Sequence, residues 1–412
     1  MRGLDMSKTN YIMVSSTCND DMYKYVSSIK TKDKVNPSQK YYKLLMEGMA
    51  SADGCTVTCV SIRSVNPATS FINMIEEDNY FENGVSYKYI KIRNKRIIVY
   101  VDMVFNTYKT INKCIKSSND RKDTIIFTDV LSICGAFSSL LICKIKKIKC
   151  CAIVTDLPNL VTAINKTAKV SLFRKFKDSF LNFLIKRFDS YCFLTESMNE
   201  INASNKPYIV IEGIATDTDG LLNNSCFNEK KSNEFVVLYA GGLYEKFGLK
   251  NLIDAIDFTK NKNIILHVYG EGTIVPYIKE KIECNHRIVY GGILPPNIIF
   301  ELEKKASLLI NCRPTSDLFT KYSFPSKTIE YLSSGTPVLT TKLEGIPKEY
   351  MEHLFLIEDE SPKGIAKTLD NISSMQMNAL QSKGNLGKKY VLENKNKEIQ
   401  GEKLINFVRN LK

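Results

Sequence analysis

Two successive series of short β-branched runs, each alternating with amphipathic stretches, most constrain what this chain can fold into. Parallel strands need a crossover of a dozen residues or more, so such alternation is the mark of parallel sheets covered by helices. In the first half the candidate strands are Tyr11–Ser15, Cys55–Ile62, Asp123–Phe127, Cys151–Thr155 and Tyr191–Leu194. Lys40–Ala50 is predicted as a helix, and Ile97–Val101 as either a strand or a helix start. In the second half the strands are Phe235–Ala240, Ile264–Tyr269, Ile288–Tyr290, Leu308–Asn311 and Val338–Thr340. Leu249–Phe258, Ile274–Ile282, Asn297–Ala306 and Ser326–Ser334 read as helices, the last stopped by Gly335. Between the two series lies DTDGLLNNSCFNEKKS, residues 217–232, polar and without a period. The expectation is an α/β protein of two doubly wound domains. They span 1–215 and 233–380, with a linker at 216–232 and a C-terminal helical segment at 381–412. Ligands of such sheets collect beyond the carboxyl ends of the strands. In the first half this directs attention to Thr128-Asp129, Asp156-Leu157-Pro158 and Thr195-Glu196-Ser197.

Charge narrows the partners without choosing among them. Lysine and arginine number 57 against 44 acidic residues, a net charge of +13. That balance favours phosphate-rich partners: nucleic acid, an anionic membrane or nucleotides. No nucleic-acid-binding motif is present and tryptophan is absent. The 12 cysteines form no C-x-x-C pair, so zinc patterns are missing. Scattered reduced core cysteines and a cytoplasmic location are the expectation. The opening MRGLDMSK has no apolar signal region. The apolar run Val130–Cys143 falls short of the about 20 residues a membrane span needs, and is predicted as a buried helix.

Several motifs have bland readings. Gly270-Glu271-Gly272 follows a strand, but the third glycine of a dinucleotide fingerprint is Val275 and the strand is not the first of its domain. A tight strand-to-helix turn explains it. No G-x-x-x-x-G-K-[ST] loop occurs. Asp217-Thr218-Asp219 is a D-x-D in the linker with no strand leading into it, and solvated carboxylates are the simpler reading there. The informative segment is KYSFPSKTIEYLSSGTPV, residues 321–338. Pro325 suits a helix entry and Ser326 an N-cap. Ile329 and Leu332 would face the core, leaving Glu330 about one turn in. A helix start offers N–H groups and a positive dipole end to a diphosphate. A carboxylate just inside it can accept two hydroxyl hydrogen bonds from a ribose. A surface helix with an incidental glutamate is the alternative.

This segment resembles the signature of retaining glycosyltransferases of the GT-B fold, the group 1 or family-four type. The pattern there is Glu, seven residues, Glu, then Gly-x-Pro-Val. Glu330 matches the second Glu and Gly335-Thr-Pro-Val the tail, while Tyr322 stands where the first Glu would be. Ser323-Phe324-Pro325-Ser326-Lys327 resembles a bacterial branch acting in capsule and surface-polysaccharide synthesis. Tyr239-Ala-Gly-Gly-Leu-Tyr-Glu-Lys-Phe-Gly-Leu resembles the first strand-to-helix loop of the donor domain. The family's Arg is replaced there by Gly242, and Lys246 best matches its Lys. Val268-Tyr-Gly-Glu-Gly and Val289-Tyr-Gly-Gly resemble later loops, so the likeness covers nearly all of 235–370. Pro37-Ser-Gln-Lys, Thr155-Asp-Leu-Pro and Leu194-Thr-Glu-Ser-Met extend it more loosely into the first half.

The resemblance implies two Rossmann-like domains facing a cleft, with the acceptor on the first and a nucleotide diphosphate sugar on the second. It implies retention at the anomeric carbon and no obligatory cofactor or metal. Donor contacts would come from Gly241, Gly242, Lys246, Gly270, Gly272, Arg313, Tyr322, Phe324, Pro325, Ser326, Lys327 and Glu330. Lys246, Lys327 and Asp156 would act in catalysis: the lysines on the departing diphosphate, Asp156 on the acceptor or reacting sugar. A glycan or lipid-linked glycan is the implied acceptor. A noncatalytic sugar-nucleotide or glycan-binding protein of the same fold is the alternative, motivated by Tyr322 and Gly242. One more feature stands outside the motif. In Lys166–Phe188, residues Phe173, Phe176, Phe180, Leu184 and Phe188 recur at helical spacing among lysines. This basic amphipathic helix suits either the core or the inner face of an anionic membrane.

Overall fold

A computed structural model describes residues 9–30, 38–117, 124–157, 172–201, 205–217 and 233–411. The chain forms two compact units, Met1–Ile214 with Lys397–Lys412, and Ala215–Asn396. The first holds strands β1 (Thr9–Ser15), β2 (Cys55–Ser61), β3 (Met74–Ile75), β4 (Asp78–Glu82), β5 (Val85–Tyr89), β6 (Ile92–Arg93), β7 (Thr124–Asp129), β8 (Lys149–Val154), β9 (Ser190–Phe193) and β10 (Tyr208–Val210). Eight of these make one sheet in the order β10-β9-β8-β7-β1-β2-β5-β4. Every pairing in it is parallel except β4 with β5. The central strands read as unbroken apolar runs because helices cover both faces.

The β4–β5 hairpin, not anticipated from the sequence, is turned by Asn83-Gly84, both at positive φ. Asn-Gly is the pair that a two-residue hairpin turn requires. Helices α1 (Asp20–Ser28), α2 (Ser38–Ala50), α3 (Ile98–Lys116), α4 (Ile133–Lys146) and α5 (Leu172–Ile185) complete this part. Ile97–Val101 is thus a helix start.

Two expectations need correction here. The run at 130–143 is not a wholly buried helix. Its small residues Gly135, Ala136, Ser138 and Ser139 face inward, while Phe137 and Leu141 are exposed. Small residues let the helix lie close to the sheet beside buried Ile142, and Phe137 and Leu141 point away. The phenylalanine stripe of α5 is likewise divided. Leu181, Leu184, Ile185 and Phe188 form the buried arc, whereas Phe176 and Phe183 are exposed. Residues 166–171 of that stretch, and the side chain of Phe173, lie outside the described residues.

The second unit carries β11 (Phe235–Ala240), β12 (Ile264–Tyr269), β13 (Ile288–Tyr290), β14 (Leu308–Asn311), β15 (Val338–Thr341) and β16 (Phe355–Ile357), all parallel. Their order is β13-β12-β11-β14-β15-β16. Helices α6 (Leu249–Phe258), α7 (Val275–Cys284), α8 (Pro296–Lys305), α9 (Ser326–Ser334), α10 (Pro362–Ser373) and α11 (Met377–Asn394) flank it.

The segment 381–412 is not one piece. Its last helix, α12 (Lys397–Arg409), leaves the second unit and packs on α2 of the first. The reason is a glycine crossing. A Cβ on Gly48 would sit 1.7 Å from the Lys397 carbonyl oxygen, and one on Gly401 2.2 Å from the Gly48 carbonyl carbon. Two bare backbones therefore touch, and Leu404, Ile405 and Val408 join the first core. Lys397 also pairs with buried Glu47 at 3.0 Å. Among the described residues no helix is long and apolar enough to cross a membrane. The described cysteines are free, and most are buried.

Candidate functional site

Strand order in the second sheet reverses between β11 and β14, and ligands of open α/β sheets collect beyond the carboxyl ends at such a switch point. Beyond β11 the chain runs through Gly241-Gly242-Leu243 into a single 3-10 turn, Glu245–Phe247, and then α6. Beyond β14 it runs through Cys312-Arg313. The two loops touch: a Cβ on Gly248 would lie 1.9 Å from the Cys312 carbonyl oxygen. Lys246 and Arg313 consequently share one ring. The Lys246 Nζ is 5.0 Å and the Arg313 guanidinium 4.8 Å from the Phe247 centroid. Burial, then the charge of Arg313, lowers the Lys246 pKa. Two neighbouring cations at a switch point raise the local potential, and an anion entering there relieves their repulsion.

Gly241, Gly242, Gly270 and Gly272 build the floor of this edge. Gly241 donates its N–H to the Tyr269 carbonyl at 3.0 Å, and Gly270 to that of Gly292 at 2.7 Å. Leu243 donates to the Glu271 carbonyl at 2.8 Å, and the Gly242 carbonyl accepts the Tyr239 hydroxyl at 3.1 Å. Gly270 has φ +127°, and a Cβ there would be 1.9 Å from the Gly241 oxygen; one on Gly272 would be 2.1 Å from that of Leu243. The N–H groups of Gly241 and Gly270 are thus committed to the loop ladder, and these glycines serve close loop contact.

Helix α9 is pinned to the same edge. The buried Tyr331 hydroxyl accepts the Ala240 N–H at 3.0 Å and donates to the Ala240 carbonyl at 3.2 Å. The helix start differs from expectation. Pro325 takes the N-cap position without a side-chain cap, and Ser326 is the exposed first helical residue. Proline fixes φ near the entry value and leaves the following N–H groups uncapped by a side chain. Phe324 is buried, with its ring 5.8 Å from that of Tyr350. Tyr322 is half-buried at the end of a 3-10 turn, its N–H donating to the Phe319 carbonyl.

Lys327 and Glu330 form a pair at 2.7 Å, with Lys327 also 3.6 Å from Glu303. Burial alone would lower the Lys327 pKa, but the Glu330 and Glu303 carboxylates raise it overall. Glu303 is fully buried on α8 and is absent from the sequence expectation. Its one signal is position: it lies four residues after buried Ile299, on the inward face of α8.

In the first unit the strand order reverses between β1 and β7, and Asp129 ends β7. Its carboxylate is buried and accepts the Leu131 N–H at 3.0 Å. Burial pushes its pKa up to about 6, with the charge of Asp156 adding to the effect. Asp156 follows β8 and is exposed. The structure thus adds a buried acid to the candidate Asp156. An ordinary aspartate titrates near pH 3.9. The folded chain therefore keeps a proton that the unfolded chain releases, between about pH 4 and about 6. Stability falls as pH rises through that window, and the penalty is complete above about 6. Asp129→Asn should raise the melting temperature by about 5 °C well above pH 6 and leave it unchanged below about pH 4. Melts of both proteins across that range check this, and a constant offset would contradict it.

Of the D-x-D, Thr218 and Asp219 lie outside the described residues, as does Pro158. Among the described residues there is no group of three or more potential metal-ligating side chains.

Residues 234–374 match the sequence model of the family described as Glycosyl transferases group 1. No curated protein sequence matches the chain. Solved structures resemble the whole of it at low identity. Sucrose-phosphate synthase from Thermosynechococcus elongatus aligns over 98% of this chain and 99% of its own, with 13% identity and TM-score 0.66. The α,α-trehalose 6-phosphate synthase of Burkholderia multivorans covers 98% and 97%, with 11% identity and TM-score 0.63. Anabaena HepE, solved in complex with UDP, covers 97% and 100%, with 11% identity and TM-score 0.61. The chain has the fold of these proteins, GT-B, with two Rossmann-like α/β units.

Proposed function

We propose that the chain is a glycosyltransferase that moves a sugar from a nucleoside diphosphate sugar onto a glycan or lipid-linked glycan, retaining the anomeric configuration. The observation that carries the reading is the pair of cations, Lys246 and Arg313, over Phe247 at the switch point of the second sheet. The diphosphate would lie against them, and the ribose hydroxyls against Glu330. HepE, of the same fold, is described with UDP. As the sugar–phosphate bond breaks, negative charge grows on the departing diphosphate. Fixed cations stabilise that charge without reorganising, and no metal is required in this reading. Lys327 acts through Glu330, because its ammonium is held by two carboxylates. Asp156 of the first unit is assigned to the acceptor or reacting sugar.

A thermal-shift panel of ADP, GDP, UDP and their sugars tests the donor site. A ligand at 100 times its Kd adds about 2.7 kcal/mol to stability. A shift with one base supports the reading, and no shift with any removes it. Release of free sugar from the donor without acceptor separates an enzyme from a noncatalytic binder. Glu330→Ala should weaken nucleoside diphosphate sugar binding by about 1.5–3 kcal/mol, since a ribose hydroxyl pair loses a charged acceptor. Titration calorimetry with unchanged affinity would take Glu330 out of the site.

A further inference from the structure

Helices α3, α4 and α5 lie side by side in the first unit. Ser138 of α4 donates its hydroxyl to the Val104 carbonyl of α3 at 3.0 Å. Phe137 of α4 and Phe180 of α5 are 6.4 Å apart, ring centroid to ring centroid. Each helix turns apolar side chains to solvent at helical spacing. Val101 and Phe105 of α3 are 57% and 63% exposed, Leu141 and Ile145 of α4 39% and 56%, and Phe176 and Phe183 of α5 72% and 49%. A helix in a soluble protein normally carries polar residues on that side. Here three adjacent helices break the rule together, which makes one patch rather than scattered exposure.

The patch is interleaved with positive charge. The three helices hold eight basic and two acidic residues. One of the acids, Asp102, is buried and paired with Arg93 at 2.7 Å. Lys175 and Lys177 flank Phe176, both exposed, and Lys144 is exposed in the last turn of α4. The Arg187 guanidinium lies 3.2 Å over the Phe183 ring. Apolar side chains ringed by lysine and arginine match a bilayer interface with anionic headgroups. The rings and branched chains enter the acyl boundary, and the cations stay at headgroup level.

We propose that the α3–α4–α5 face docks the protein on an anionic membrane surface. The contact is wider than the single basic helix legible in the sequence, and α3 supplies part of it. It does not depend on the assignment of a sugar donor to the second unit.

The full chain should co-sediment with vesicles of equal parts phosphatidylglycerol and phosphatidylcholine, and not with phosphatidylcholine alone. Raising salt from about 0.1 M to about 1 M shortens the Debye length from about 10 Å to about 3 Å and should release most of it. Val101→Ser with Phe105→Ser, on α3, should cut vesicle binding about tenfold or more at unchanged melting temperature, because both side chains are exposed. Lys175→Glu with Lys177→Glu should do the same through charge alone, which keeps the test valid should the serine variant fold poorly. Absence of wild-type sedimentation at low salt overturns the proposal. So does binding that neither pair of substitutions weakens. If the wild type is instead a dimer that the α3 variant converts to a monomer, a second copy covers this face and the lipid assignment fails.

Discussion

Replacing Lys246 by alanine should lower turnover about 100-fold while changing donor affinity only a few-fold. In the ground state the diphosphate already carries its charge, and Arg313 beside the same Phe247 ring can hold much of it. The extra charge that appears on bond cleavage is what the second cation meets. Removing one preorganised donor of this kind typically costs about 2.7–4 kcal/mol in the transition state. Lys246 is half-buried on a short turn with its ammonium over the Tyr244 and Phe247 rings, so its loss should move stability by no more than about 1 kcal/mol. Steady-state kinetics at saturating donor, run beside calorimetry with the nucleoside diphosphate, separates the two effects. Normal turnover in the variant would end this role for Lys246.

A second large effect concerns Lys327, and its readout is folding as well as activity. Its ammonium lies 3.6 Å from Glu303, a carboxylate with no exposed surface. Lys327→Met leaves that buried charge without the ammonium. Breaking a buried pair from one side costs about 3–5 kcal/mol, because the remaining charge stays desolvated. The expected loss here is about 3 kcal/mol, at the low end because the ammonium stands 3.6 Å from Glu303, beyond direct hydrogen-bond distance. Combining Lys327→Met with Glu303→Gln removes both charges and should restore most of the stability. Denaturant melts of the two single variants and the double check this. If Lys327→Met melts like the wild type, the pair carries no stabilising interaction. The double variant should remain poor in donor binding, since Glu330 has lost the partner that holds it at 2.7 Å.

Much of the second unit was legible because its signals are local. Strand runs, the Pro325 helix entry and the Gly335 stop depend on neighbours within a turn or two of chain. Strand positions followed within a residue or two, apart from the short β16. The hairpin of β4 and β5 could have been found from Asn83-Gly84 and the alternation of VSYKY in β5, but β4 is an exposed edge strand with no alternation of its own. The α5 stripe misled for a geometric reason. Residues 173 to 188 keep helical spacing, yet a helix packs through whichever arc meets its neighbours, here the one centred on Leu181 and Leu184. No count of phenylalanines reveals that arc.

The sequence by itself determined the class of fold, two parallel α/β series, because hydrophobic period and turn residues act over a few positions. It also marked Lys246, Arg313, Lys327 and Glu330 as charged groups near strand ends and a helix start. Strand order was the tertiary structure's decision, and with it the reversal that sets Lys246 beside Arg313. So were the burial of Glu303 against Lys327, the buried acid at Asp129, and the return of the last helix through the Gly48–Gly401 crossing. Each of these joins residues far apart in the chain. Their contact depends on register and packing summed over whole sheets, and no local pattern of residues encodes that sum.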